Sequence, residues 1–275
     1  MQYLAYRFKV NPPQPGSEIL MALISEFEFS TFENTEDGFV AYIDEKDASL
    51  VNFNELIFED FTYSYQIEKI AQTNWNAEWE KNFEPVKIDS LLLIRAPFHP
   101  SDKTVKHEIV IMPKMSFGTG HHQTTQLMCA AMFEQNFKNA RVLDMGSGTG
   151  ILAILAKKLG ANDILAIDID EWSVENCIEN CTNNDSANVI VKKGDVDLIE
   201  NQKPFDFILA NINKNILKSH LKSYSAKLNP GGKLFLSGFF KTDVEDLSSL
   251  ALIQNLKLEI RNSKEEWAMM VLEKI

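Results

Sequence analysis

Cysteine is scarce in this chain: three in 275 residues, Cys129, Cys177 and Cys181, too few for a disulfide framework. Cys177 and Cys181 are spaced to share one face of a helix, but no nearby histidine or further cysteine completes a tetrahedral site, so they read as free buried thiols and no metal is expected. Long apolar runs are absent too; the longest are strand-sized, which excludes a helical membrane span. The first residues lack the basic start and apolar stretch of a secretion signal, and together with the few cysteines this gives the expectation of a cytoplasmic protein. Basic charge is also in short supply, with 27 lysines and arginines against 39 acids, a net charge of −12 and no basic block, which argues against a sequence-specific nucleic-acid surface. An acidic surface suits a cationic partner or simply keeps a protein soluble, and composition does not separate the two.

What is there centres on Arg141-Val-Leu-Asp-Met-Gly-Ser-Gly-Thr-Gly150, a short apolar strand followed by three alternate glycines and then by Ile151-Leu-Ala-Ile-Leu-Ala-Lys157, the start of a helix. Backbone without Cβ atoms can turn tightly at Gly146 and Gly148 and lie against a ligand at the carboxyl end of a strand, so both are candidate cofactor contacts. Two cofactor classes use strand, glycine turn and helix. A dinucleotide fingerprint starting at Gly146 needs its third glycine at position 151, where Ile151 stands; here it falls one residue early, at Gly150. Asp144-Met-Gly-Ser-Gly-Thr-Gly150 instead resembles the first motif of class I S-adenosylmethionine (SAM) methyltransferases.

A second apolar strand, Asp163-Ile-Leu-Ala-Ile-Asp168, ends in an acid about 20 residues beyond the loop, where a carboxylate can accept both hydroxyls of a ribose. Asp168 is therefore the candidate ribose reader. The competing role for an acid here is helix capping, which fits Asp170 better because Asp168 sits at the strand's end.

The pattern implies two domains and a connector. Residues 1–68 read as strand, helix 18–24, strands near 30–33 and 38–43, a helix near 50–58 and strand 62–67, the ferredoxin-like order. Asn11-Pro-Pro13 falls in a turn of this unit. Residues 69–85, polar and with Trp75 and Trp79 at helical spacing, read as a linker helix. From 86 to 275 the chain shows short strands near 91–94 and 108–112, then alternating strands and helices from 140, and a closing pair of strands at 256–262 and 266–273 without a helix between. That alternation means an α/β fold with a parallel doubly wound sheet closed by an antiparallel hairpin.

Two further segments carry chemistry. Phe205-Asp-Phe-Ile-Leu-Ala-Asn211-Ile-Asn213 is the sheet's fourth strand, and its amides stand where the carboxyl end faces the cofactor crevice. An amide oxygen can hold the N–H of an incoming amine without competing as a base, which makes Asn211 the candidate catalytic residue and leaves Asn213 open between site and loop. Phe117-Gly-Thr-Gly-His-His-Gln-Thr-Thr125 is dense in small and hydroxyl residues before a helix and reads as a pocket wall or lid. Thr124 and Thr125 can cap that helix or bind the cofactor. His121 and His122 are candidate bases or caps.

Taken together, the loop at 117–125, the glycine motif Leu143-Asp-Met-Gly-Ser-Gly-Thr-Gly-Ile-Leu-Ala-Ile154, the pair Asp168-Ile-Asp170 and Ala210-Asn-Ile212, behind a small first domain and a tryptophan-bearing linker, resemble the methyltransferases of ribosomal protein L11 over nearly the whole chain. The resemblance implies a seven-stranded class I methyltransferase sheet, SAM as cofactor and trimethylation of amines. The amines would be lysine side chains and the N-terminal α-amine of ribosomal protein L11, free or on the large subunit, captured by the first domain. It also implies contacts from Thr125, Gly146, Asp168 and Asn211 to SAM. The alternatives are a class I methyltransferase for another protein, an RNA or a small-molecule amine, a SAM-binding protein without turnover, and an NAD-dependent oxidoreductase.

Overall fold

The computed structural model describes residues 3–53, 56–70, 83–114 and 116–275. The chain divides into two compact units, Met1–Asn82 and Phe83–Ile275. Trp75 and Trp79 lie outside the described residues, as does nearly all of the expected linker helix; of its ends, Lys69 closes a strand and residues 83–85 are irregular.

In the first unit, β1 (Tyr3–Asn11), α1 (Pro13–Ile24), β2 (Phe29–Thr35), β3 (Gly38–Asp44) and β4 (Thr62–Lys69) build an antiparallel sheet in the order β2-β3-β1-β4, the ferredoxin-like arrangement. Alternation in β1 decides which face is buried: Tyr6, Phe8 and Val10 point into the core while Arg7 and Lys9 are exposed. Phe8 stacks on Phe39 with ring centroids 4.8 Å apart, and Leu20 and Ile24 of α1 close over them. α1 is interrupted at Gln14, which is extended (φ −114°, ψ 130°), and its continuous part starts at Pro15, where a missing N–H is tolerated.

The second helix expected near 50–58 is absent among the described residues. A single 3-10 turn, Ala48–Leu50, is followed by irregular chain at 51–53 and 56–58. Two reasons are visible. The segment is poor in strong helix formers, and the Tyr63 hydroxyl lies 3.1 Å from the carbonyls of both Phe53 and Leu56, satisfying groups that a helix would otherwise pair internally. Phe53, buried among Tyr6, Phe8 and Phe29, fills the space such a helix would cover.

The second unit opens with a three-stranded sheet, β5 (Val86–Ile88), β6 (Leu92–Arg95) and β7 (His107–Val110), of which β5 had no clear sequence signal. Helix α2 (Gln123–Met132) leads into the large sheet: β8 (Arg141–Met145), α3 (Ile151–Lys158), β9 (Asp163–Asp168), α4 (Glu171–Asn183), β10 (Ile190–Lys193), β11 (Phe205–Asn211), α5 (Lys214–Ala226), β12 (Leu228–Phe240), α6 (Val244–Ile253), β13 (Leu256–Lys264) and β14 (Trp267–Lys274). The seven strands lie in the order β10-β9-β8-β11-β12-β14-β13, parallel except for β14, which runs antiparallel to both neighbours.

Both faces of this sheet are covered, as continuous apolar strands require. Val142, Ile164, Ala166, Phe207 and Leu209 face a layer containing Met128 of α2, Ile154 of α3 and Cys177 of α4. The alternate residues Leu143, Leu165, Ile167, Ile208 and Ala210 face Leu217, Leu221 and Tyr224 of α5 and Leu247 of α6. Chain order reverses about β8, which lies between β9 and β11, so a crevice opens at the carboxyl ends of these three strands. No helix among the described residues is long and apolar enough to cross a membrane.

Candidate functional site

That crevice holds a pocket of about 350 Å³. Gly146, Gly148, Asp168 and Asn211 line it together, joined by Phe117, Asp170, Gly194, Asp195, Ile212 and His220.

The glycine turn is fixed from below and from the side. The Gly146 and Ser147 N–H groups donate to the Ile167 carbonyl at 2.8 and 3.1 Å, tying the loop to the end of β9. Gly146 has φ +72°, and a Cβ there would sit 2.3 Å from Ile212 Cγ2. At Gly148 φ is +52°, and a Cβ would fall 2.3 Å from the Phe117 carbonyl oxygen. Both positions thus need glycine for backbone conformation and for room. The Phe117 carbonyl accepts the Thr149 N–H at 2.9 Å, and the buried Thr149 hydroxyl donates to the Gly118 carbonyl at 2.7 Å. The loop at 117–125 is thereby stitched to the glycine turn, and its Phe117 ring forms part of the pocket wall.

Asp168 spends one lone pair of each oxygen on the backbone: Oδ2 accepts the Gly148 N–H at 2.8 Å and Oδ1 the Asp170 N–H at 3.0 Å. Each oxygen retains acceptor capacity on the pocket side. Helix capping falls to Asp170, whose Oδ1 accepts the Trp172 N–H at 3.1 Å. Asp195 combines two placements, lining the pocket and capping the 3-10 turn Val196–Ile199. The sequence signal for it was an acid just beyond the third strand of the sheet.

At the end of β11, Asn211 Nδ2 lies 3.4 Å from Thr125 Oγ1, while Asn211 Oδ1 is buried and has no hydrogen-bond partner among the described residues. Thr125 is itself buried and sits behind Asn211, outside the pocket lining. Asn213 lines the pocket and caps α5 through the Ile216 N–H at 3.1 Å.

The two histidines in the 117–125 loop are occupied structurally. His121 places Nδ1 3.1 Å from the Thr119 hydroxyl and Nε2 2.9 Å from the Glu84 carbonyl. His122 caps α2, its Nδ1 meeting the Thr124 N–H at 3.3 Å and hydroxyl at 2.8 Å, and burial lowers its pKa. A row of rings runs from the pocket edge, Phe117 to His122 at 5.3 Å, His122 to Trp267 at 4.7 Å and Trp267 to Phe240 at 4.5 Å. Trp267 opens the last strand, β14, and Phe240 ends β12, and nothing in their local sequence marks them as neighbours of the glycine loop.

Beneath the loop, Asp144 is fully buried, its Oδ2 accepting the Ala153 N–H at 3.0 Å. Burial pushes its pKa up to about 7, against the lowering effect of that bond and with the Asp168 charge adding to the rise. No group of three or more histidine, cysteine or acidic side chains suited to a metal occurs among the described residues, and Cys129, Cys177 and Cys181 are buried free thiols.

Comparison with known proteins places the chain in a family. The family model described as ribosomal protein L11 methyltransferase matches residues 24–275. Two curated relatives named ribosomal protein L11 methyltransferase are similar to nearly the whole chain: that of Porphyromonas gingivalis is 40% identical, covering 98% of this chain and 96% of its own, and that of Phocaeicola vulgatus is 38% identical, covering 98% of each. Among solved structures, the ribosomal protein L11 methylase of Lactobacillus delbrueckii subsp. bulgaricus is 27% identical, with a TM-score of 0.64 over 70% of this chain and 99% of that one. A methyltransferase from Pyrococcus furiosus, 19% identical with a TM-score of 0.51 over 60% of this chain and 89% of its own, shares the fold.

Proposed function

The chain belongs to the ribosomal protein L11 methyltransferase family and is a SAM-dependent protein methyltransferase, and from that premise we propose that it methylates lysine side chains and the N-terminal α-amine of ribosomal protein L11. We read residues 1–68 as the part that captures this substrate, residues 69–85 as the connector, and residues 86–275 as the part that holds cofactor and amine, in the cytoplasm.

The single observation that carries the site assignment is that Gly146, Gly148, Asp168 and Asn211 line one pocket at the carboxyl ends of β8, β9 and β11. These groups fit SAM: bare backbone at Gly146 and Gly148 for the nucleoside and amino-acid tail, and two acceptor oxygens on Asp168 for paired ribose hydroxyls. When bound, SAM supplies an electrophilic methyl group on a sulfonium. The Asn211 amide oxygen, once turned toward the pocket, is suited to accept an N–H of the arriving amine, and Thr125, whose hydroxyl meets Asn211 Nδ2 at 3.4 Å, is read with Asn211 as a SAM contact.

Deprotonation of the amine sets the chemical demand. A lysine with pKa near ~10.4 has a free lone pair in roughly one molecule in two thousand at pH 7, a deficit of about 4.6 kcal/mol. His121 is engaged by the Thr119 hydroxyl and the Glu84 carbonyl and His122 by Thr124, so neither is read as the base. Exclusion of water by Phe117, Met145, Ile167, Ile212 and Ile216 favours the neutral amine, and the proton leaves to solvent. Positioning and desolvation then provide most of the rate. The aromatic row from Phe117 to Phe240 offers a cation–π surface along which the charged amine can approach.

Incubation of the enzyme with SAM and purified ribosomal protein L11, followed by intact-mass and peptide mass spectrometry, tests this. Methyl increments on lysines and the N-terminal amine are expected. Label found in RNA alone, or no increment on the protein, would refute the substrate assignment.

A further inference from the structure

We infer that Asn180, on α4 and remote from any substrate atom, is a positioning residue for the cofactor pocket, acting through the Thr149 carbonyl on the Phe117 wall; the inference rests on reading this pocket as the SAM site.

Asn180 is fully buried, and its side chain is used on both ends. Oδ1 accepts the Met112 N–H at 2.9 Å, while Nδ2 donates to the Thr149 carbonyl at 3.0 Å and to Asn176 Oδ1 at 3.0 Å. One turn further along α4, Asn184 brackets the edge of β7: its Oδ1 accepts the Val110 N–H at 2.8 Å and its Nδ2 donates to the Val110 carbonyl at 2.6 Å and the Asn180 carbonyl at 2.8 Å. Spacing of four residues puts Asn176, Asn180 and Asn184 in one row on the helix, facing backbone.

The bond to Thr149 is the one that reaches the pocket. At the start of α3, which Gly150 caps, the Ala153 N–H is one of the first-turn donors without a helical partner, and it donates to Asp144 Oδ2 at 3.0 Å. The Thr149 carbonyl lies just outside the helix and accepts from Asn180. Thr149 is also where the two loops meet, through its N–H to the Phe117 carbonyl and its hydroxyl to the Gly118 carbonyl. Asn180 therefore holds the peptide that fixes both the glycine turn and the backbone carrying the Phe117 ring. Since Met112 lies five residues before Phe117, one amide holds both the chain that enters the 117–125 loop and the peptide against which the start of that loop is fastened.

The test compares Asn180→Asp, Asn184→Ala, Phe117→Ala and the Asn180→Asp/Phe117→Ala double variant with the intact enzyme. SAM affinity is measured by calorimetry, and kcat and KM for SAM and for ribosomal protein L11 by turnover. Asn180→Asp keeps an acceptor for the Met112 N–H but removes the donor to Thr149 and sets a carboxylate against its carbonyl. Expected for this variant are a SAM Kd and KM raised about tenfold or more, with kcat at saturating SAM and KM for the protein substrate within threefold. Asn184→Ala, which breaks the same row without touching Thr149, lowers the melting temperature yet keeps SAM Kd within twofold. In the double variant the loss is smaller than the product of the single losses, because both changes act on one loop. Where Asn180→Asp does not accumulate folded, Asn180→Ser carries the same comparison. An intact enzyme that fails to bind SAM removes the pocket reading itself and this inference with it. An intact enzyme that binds, with Asn180→Asp within twofold of it or with strictly multiplicative losses, overturns this inference alone.

Discussion

Replacing Gly148 by alanine probes the turn that the pocket depends on, and its effect can be worked out from three contacts. The residue has φ +52°, a left-handed conformation that carries a strain of roughly 1–2 kcal/mol for a residue with a Cβ. The new Cβ would stand 2.3 Å from the Phe117 carbonyl oxygen, far inside contact distance and against backbone that cannot rotate away. Relief requires Phe117 to move, which weakens its 2.9 Å bond from the Thr149 N–H, or the turn to move, which weakens the 2.8 Å bond from the Gly148 N–H to Asp168. Each such bond contributes about 1 kcal/mol net, and somewhat more where a carboxylate is the acceptor. The combined disturbance is about 2–4 kcal/mol, equivalent to roughly 30-fold to 1,000-fold if it falls entirely on SAM affinity. Calorimetric titration with SAM, alongside urea unfolding, divides the loss between binding and stability. Gly231→Ala is the control, since Gly231 has φ +72° but nothing within 4 Å of its would-be Cβ and lies outside the pocket lining. It should lose stability through strain alone and leave SAM affinity unchanged. A Gly148→Ala enzyme that binds SAM within threefold of the parent and unfolds at the same urea concentration would refute the reasoning.

Three other outcomes follow from the geometry. Burial raises the Asp144 carboxyl from 3.8 to about 7, so between those values the unfolded chain has already released a proton that the folded chain retains; folding stability then falls as pH rises through that window. Asp144→Asn removes the dependence and should gain on the order of 3 kcal/mol relative to the parent at pH 8 but little at pH 4, read from chemical unfolding at both values. Asp168→Asn keeps one acceptor oxygen but loses the charge and the second, and should weaken SAM binding about 10-fold to 100-fold by calorimetry, the size of one or two hydrogen bonds to a charged group. Tyr63→Phe removes the hydroxyl shared by the Phe53 and Leu56 carbonyls and should destabilise the first unit by about 1 kcal/mol, visible as faster amide hydrogen exchange in the segment between β3 and β4.

The parallel sheet was legible in the sequence because its central strands are apolar enough to be buried on both faces and alternate with helices; the strand Asp163–Asp168 has the expected bounds. The ferredoxin-like order was legible for the same reason, from alternation in strands such as Tyr3–Asn11. Its second helix was misread because Leu50, Phe53 and Ile57 have helix-like apolar spacing, whereas the Phe53 and Leu56 carbonyls are held by a tyrosine from a later strand, information no local window contains. In the pocket, Gly146, Gly148, Asp168 and Asn211 were legible because strand ends announce them. The burial of Thr125 beside Asn211 was not legible, since a threonine in a polar loop gives no sign of it. Asp195, His220 and the Trp267 row come from elements distant in sequence and meet only once the sheet is assembled.

The most direct test of the pocket is a crystal of the enzyme grown or soaked with SAM. Density is expected along Gly146 and Gly148, with ribose hydroxyls within hydrogen-bond distance of the Asp168 carboxylate and the sulfonium end toward Asn211. Density elsewhere in the molecule, or none at concentrations that support methylation, would contradict the assignment.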